Sequence, residues 1–152
     1  MVILGILPSL LWLGFFLKRD SHPEPKYLLT RTFLMGMILS PTAVGLQWAF
    51  VGLGQIFSSD IFAFNSPHFF LWAAFVEEAV KFLAIRFTVL NDPEMDEPVD
   101  AIIYMISASL GFAAIENILV LFRSAPSGLN EALQLWALRS VGATLLHALA
   151  GA

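Results

Sequence analysis

Five long apolar stretches, roughly residues 1–17, 30–56, 68–90, 99–122 and 132–152, alternate with short polar clusters along this chain. A hydrocarbon layer about 30 Å thick takes roughly 20 apolar residues to cross as a helix, which satisfies its own backbone there. The pattern predicts an all-α polytopic membrane helix bundle with about five transmembrane helices, forming a single transmembrane domain over residues 1–152. Composition agrees: 58% of the residues are hydrophobic and 13% charged, where a soluble domain has about half and about a quarter. The absence of cysteine excludes a disulfide framework, a thiolate metal site and a cysteine nucleophile. No basic patch suggests a nucleic-acid partner, so the lipid bilayer is the expected surroundings.

The polar clusters orient the bundle. The first apolar run lacks a basic leader and a small-residue cleavage site, so it reads as a retained helix. Lys18, Arg19, Lys26 and Arg31 gather around the first loop, whereas "SSDIFAFNSP" has neither Lys nor Arg. The positive-inside rule then puts the N-terminus outside, with the first loop and the "NDPEMDEP" loop in the cytoplasm. Arg86 agrees with this and Arg123 opposes it. The second run is long enough to tilt or to break near Pro41 or Gly52, and its Gly36, Ser40, Gly45 and Gly52 suggest a closely packed face. The fifth run stops without a polar flank, so the expectation is a chain truncated at its C-terminus, within a larger fold.

Against this background "FVEEAVKFLAI" stands out, with Glu77, Glu78 and Lys81 in an apolar run. A charge at the centre of a membrane helix costs about 2.5–3.5 kcal/mol on insertion scales, which calls for a reason. The structural reason is an ion pair: Lys81 lies at i+4 from Glu77, the favoured spacing, and at i+3 from Glu78. One lysine cannot neutralise two glutamates. The second must be protonated, find another cation or face water. The spacing assigns Lys81 to Glu77, keeping it an ionised base, with Glu78 its proton-sharing partner.

The fourth run adds Glu116 and Asn117, with Ser109 and Ala113 on the face of Glu116. The plain alternative for Asn117 is a hydrogen bond gluing two helices. Asp100 reads as a helix cap. In the fifth run Arg139, Ala143, His147 and Gly151 follow one another every four residues, which puts them on one slowly drifting stripe. Arg139 is a candidate countercharge for a glutamate on the third or fourth run. His22 and His68 are taken as loop or interface residues, and the tryptophans as anchors or core filler. Three carboxylates and a histidine could bind a divalent ion, yet no H-E-x-x-H pattern is present, so the expectation is a site without metal or other cofactor.

Several segments together resemble one family. "EEAVK" matches an E-E-x-x-K motif, and "DAIIYMISASLGFAAIENILV" is similar to a D-x-x-x-Y…G-F-x-x-x-E-N signature. "RSVGATLLHALAG" and "RDSHPEP" complete a likeness that covers essentially the whole chain. The family is PrsW, membrane-embedded proteases grouped with the CAAX prenyl endopeptidases and the Abi immunity proteins. The resemblance implies a glutamic-type intramembrane protease of a prokaryotic plasma (inner) membrane, cutting a membrane-anchored protein substrate such as an anti-sigma factor. By position it implies Glu77, Glu78, Glu116 and His147 as catalytic residues, supported by Lys81, Asn117 and Arg139. Two departures stand out: Val120 replaces an aromatic residue that often closes the E-N motif, and the family's further histidine-bearing helix is not in this sequence. One of Glu77 and Glu78 would activate water, and Asn117 or protonated His147 would hold the oxyanion. The competing expectations are an ion- or proton-coupled transporter, and a non-catalytic immunity-type scaffold.

Overall fold

The structure is a computed structural model and describes residues 1–19 and 22–152. The described residues are all-α, in six helices: α1 (Val2–Leu17), α2 (Lys26–Phe57), α3 (Pro67–Thr88), α4 (Pro98–Ser124), α5 (Leu129–Val141) and α6 (Ala143–Ala150). Short 3₁₀ turns at Asp60–Phe62 and Ala125–Ser127 lead into α3 and α5.

Local chemistry sets the helix starts. Ser66 Oγ accepts the Phe69 amide at 3.0 Å, and Pro67 occupies the first turn of α3, where a missing N–H costs nothing. Asp100, expected as a cap, is buried in the first turn of α4 and takes the amides of Asp96 and Glu97 at 3.1 and 2.8 Å. α2 runs unbroken past both Pro41 and Gly52. Membrane-type packing tolerates such a proline because neighbouring groups relieve the freed backbone.

α4 is the central helix. Every residue from Ile106 to Leu110 and on through Ala114 is buried, which requires neighbours on all sides. α2 approaches it most closely: a Cβ added to Gly36 would lie 2.1 Å from the Ala108 carbonyl oxygen, and one added to Gly111 2.0 Å from that of Phe33. Ser107 Oγ fastens the same interface by donating to the Leu29 carbonyl at 2.9 Å. Only half of the expected small-residue face is used. Gly36 and Ser40 are buried, but Gly45 and Gly52 meet nothing within 4 Å. At 100° per residue, positions 45 and 52 lie roughly 160–180° around the helix from position 36, on its far side.

The fifth apolar run folds as two short helices, not one. Gly142 separates them with φ −84° and ψ −83°, and a Cβ there would lie 2.9 Å from the Leu138 carbonyl oxygen. α1 supports the break: Trp12 Nε1 donates to the Ser140 carbonyl at 2.8 Å, and Trp136 Nε1 on α5 donates to that of Leu4 at 2.7 Å.

The outer faces of α2 and α3 expose Ile38, Trp48, Phe70, Leu71 and Phe75 by 61–72%. An apolar belt of this kind suits lipid and would be a liability in water. Among the described residues, two helical segments, Lys26–Phe57 and Pro98–Ser127, are long and apolar enough to cross a membrane. α3 matches such lengths with 22 residues, but it carries the charges of the site.

Candidate active site

Glu77 and Glu78 lie at the middle of α3, roughly 15 Å along the helix from Pro67. As adjacent helical residues they diverge by about 100°, and they meet different partners. Glu78 Oε1 accepts from Lys81 Nζ at 2.6 Å. Lys81 is fully buried, while the Glu78 side chain keeps 40% of its exposure. The same ammonium lies 3.1 Å from Nδ1 of His147 on α6 and 5.3 Å from the Phe112 ring centroid.

An ammonium can only donate, so Nδ1 of His147 is the acceptor and a neutral ring carries its proton on Nε2. Nε2 lies 3.0 Å from Glu116 Oε2 and donates to it. That oxygen also accepts from Arg139 Nη2 at 3.1 Å, while Arg139 Nε donates to Asn117 Oδ1 at 2.9 Å. Asn117 Nδ2 in turn donates to Thr144 Oγ1 at 2.9 Å. A continuous path of hydrogen bonds thus runs Glu78–Lys81–His147–Glu116–Arg139–Asn117–Thr144 and joins α3, α4, α5 and α6.

Glu77 faces the other way, toward α2, where its Oε1 accepts from Gln47 Nε2 at 3.0 Å. One oxygen of Glu77, one of Glu116 and one ring nitrogen of His147 all lie within 4.8 Å of one another. The three residues are each partly buried.

The residues singled out in the sequence therefore stand together, but their pairing differs. Lys81 bonds Glu78, not Glu77. The reason is lateral: the lysine side chain is enclosed beside Phe112 and His147, and Glu78 at i−3 lies on that side of α3. The acid grouped with Glu77 is Glu116, from another helix, while the neighbouring Glu78 bonds Lys81. Arg139 and His147 do not share one helical stripe either, because Gly142 intervenes; they reach the same Glu116 oxygen from two helices. Asn117 does the gluing that its plain reading anticipated, tying α4 to α6 through Thr144.

Gln47 and Thr144 were not anticipated. Thr144 gives no signal beyond its residue type. Gln47 does: Gly36, Ser40, Ala43 and Gln47 recur at i, i+4, i+7 and i+11, which keeps all four within an arc of about 60° on α2. The first three are buried, so the stripe points a carboxamide inward one turn further on.

One planar guanidinium serves both Glu116 and Asn117, and a lysine cannot reproduce two N–H vectors in fixed geometry. Arg139→Lys is expected to destabilise the fold by about 1–3 kcal/mol, the range for leaving a buried polar group unpaired. Thermal unfolding in detergent reads this as a melting point several degrees lower. An unchanged melting point would show that Arg139 does not link α4 and α5.

An apolar helix bundle that gathers carboxylates and a histidine at the middle of α3 has the pattern of a membrane protein with ionisable groups within its apolar segments. The family model described as PrsW family intramembrane metalloprotease matches residues 24–152. Proteins called Protease PrsW are similar in sequence. That of Geobacillus kaustophilus is 37% identical over 77% of this chain and 50% of its own length. That of Oceanobacillus iheyensis is 33% identical over 97% and 62%, and that of Bacillus subtilis 34% over 77% and 51%. No solved structure matches. The chain belongs to the PrsW family and is a membrane protein. It spans about half to two thirds of the length of the curated relatives it matches.

The family description raises a metal, and the residues fit one. Two carboxylate oxygens and an imidazole nitrogen form an oxygen-rich version of the three-ligand set that catalytic zinc sites use. Charge argues the same way. Glu77, Glu78 and Glu116 face two permanent cations, Lys81 and Arg139, which bond Glu78 and Glu116. Among the described residues Glu77 has no Lys or Arg within salt-bridge distance, so a divalent cation would meet the carboxylate left uncompensated.

Proposed function

We propose that this chain carries the core of an intramembrane endopeptidase that hydrolyses a membrane-anchored protein with the help of a divalent metal ion. The convergence of Glu77, Glu116 and His147 within 4.8 Å, from three different helices, carries this reading. These three would hold the ion, which when bound supplies a water that is nucleophilic near neutral pH and polarises the scissile carbonyl.

The remaining residues take defined parts. Glu78 keeps one oxygen on Lys81 and a part-exposed side chain, which suits it to take a proton from water and return it to the leaving amine. Arg139 holds Glu116, and His147 would have to change partners to bring a lone pair to the ion: the Nε2 proton that now bonds Glu116 would give way to one on Nδ1, and Lys81 would keep Glu78 alone. Asn117 has one of its two amide N–H groups engaged by Thr144 and its carbonyl oxygen by Arg139, which leaves a single N–H for an oxyanion.

A metal-free, glutamic-type mechanism is the second reading, favoured by one observation: Glu116 Oε2 already has two donors, Arg139 and His147. There Glu77 would activate water directly. Chelation separates the two. In proteoliposomes of the full-length protein, a strong chelator is expected to abolish cleavage of a single-span reporter, and Zn²⁺ or Co²⁺ to restore it. Cleavage untouched by exhaustive chelation would select the glutamic reading; no cleavage under any condition would overturn both.

The wider assignments belong to the same proposal. Five spans in a single transmembrane domain, a prokaryotic plasma membrane and an external N-terminus follow from hydropathy and from the Lys18–Arg31 cluster. An anti-sigma factor is the substrate that the family resemblance supports. The transporter reading draws on the helix break at Gly142, a feature that carriers use at binding sites, but membership of a family named for proteolysis outweighs it.

A further inference from the structure

We propose that Gln47 is a positioning residue of this site, holding the Glu77 carboxylate by one oxygen so that the other is presented to the reacting centre. The inference rests on the hydrolytic reading above and extends it to a helix with no residue in the E-E-x-x-K, E-N or arginine–histidine motifs. The contact is direct, Gln47 Nε2 donating to Glu77 Oε1 at 3.0 Å. An ionised carboxylate only accepts, so the amide must present its NH₂ end, whichever way its two similar atoms are assigned.

Two features of the fold make this contact rigid. On one side, Trp72 of α3 donates from Nε1 to the Leu46 carbonyl at 3.2 Å, and its ring stacks on Phe50 with centroids 5.5 Å apart. Residues 46–50 of α2 are thus clamped to α3 beside the site. On the other side, the backbone contacts at Gly36 and Gly111 set α2 against α4 three turns earlier on the same stripe. A donor placed by two packed interfaces loses little entropy on forming its bond, which is how supporting residues preorganise a site.

The choice of an amide also has a reason. A lysine or arginine here would neutralise Glu77, the one carboxylate of the three with no such cation in reach among the described residues. A neutral donor satisfies one oxygen and leaves the negative charge available to a metal ion or to the proton of a water. Residues that orient metal ligands in this way typically change affinity or activity by about 10–100-fold when removed.

The test uses the full-length protein in nanodiscs, with Gln47→Leu and the unbranched Gln47→Met as paired variants. Co²⁺ affinity, followed by the visible absorption of the bound ion, is expected to fall by about 10–100-fold in both variants. Cleavage is expected to lose kcat with KM little changed, and the melting point to stay within a few degrees. Combined with Glu77→Gln, Gln47→Leu should add no further loss, because the amide acts through that carboxylate. Affinity and kcat within threefold of the wild type in a folded variant would overturn the proposal, as would losses that simply add in the double variant. If the wild type neither binds Co²⁺ nor cleaves, the hydrolytic reading falls. The pair is then judged by melting points: non-additive losses uphold the contact, and additive ones overturn it.

Discussion

Glu77→Gln is expected to reduce cleavage of a membrane-anchored substrate by about 10²–10⁴-fold while leaving the bundle folded. The substitution is nearly isosteric, so packing in α3 is kept, and the carboxamide can still meet Gln47 through its own carbonyl oxygen. What it removes is the negative charge that stands within 4.8 Å of Glu116 and His147. If that charge holds a metal, the ligand set drops from three to two; if it activates water, the base is gone, a loss typically of about 10²–10⁴-fold. Removing the charge also relieves crowding against Glu116, so stability should hold or rise slightly. The measurement pairs a cleavage assay in proteoliposomes with a melting point from tryptophan fluorescence. A variant that cleaves within tenfold of the wild type would remove Glu77 from the mechanism. A variant that merely unfolds would make the residue structural.

Gly111→Val is expected to have the largest effect on the fold. A Cβ at position 111 would lie 2.0 Å from the Phe33 carbonyl oxygen and 2.8 Å from its carbonyl carbon. Both are backbone atoms of α2, so no side-chain rotation relieves the clash and the helices must separate. Overpacking typically costs about 1–3 kcal/mol, and a clash against backbone belongs at or above the top of that range. Separation would also carry Gln47 away from Glu77, so cleavage should fall with stability. Gly45→Val is the matched control, since nothing lies within 4 Å of a Cβ there and Gly45 is exposed on the opposite side of α2. Melting points in detergent should separate the two variants by many degrees. Equal melting points would show that the α2–α4 approach does not hold the bundle together.

The contrast between these two glycines shows where the sequence is legible. The apolar runs predict the helices because backbone polar groups in lipid have no other partner, and that requirement acts locally. Charges inside those runs mark the site for the same reason: burying Glu77, Glu78, Lys81 and Glu116 in apolar surroundings is costly unless they meet one another. A 3.6-residue period even points to Gln47, once Gly36, Ser40 and Ala43 are taken as one stripe.

Which partner each charge takes is a different kind of question. Spacing along α3 favours Lys81 with Glu77 by the i, i+4 rule, worth only about 0.2–0.5 kcal/mol on an isolated helix. In the folded bundle that preference is overridden, because Lys81 is enclosed beside Phe112 and His147 and finds Glu78 there. Glu77 is left to Gln47, Glu116 and His147, brought by α2, α4 and α6. The break at Gly142 is likewise a tertiary outcome: a continuous stripe from Arg139 to His147 gives way to two helices whose side chains meet on one Glu116 oxygen. By itself, then, the sequence determined an all-α membrane protein, its helices and the residues too costly to bury without a purpose. The tertiary structure alone decided their pairing, because local helix energies are tenths of a kcal/mol, whereas enclosing a charge beside one partner and not another is worth several times more.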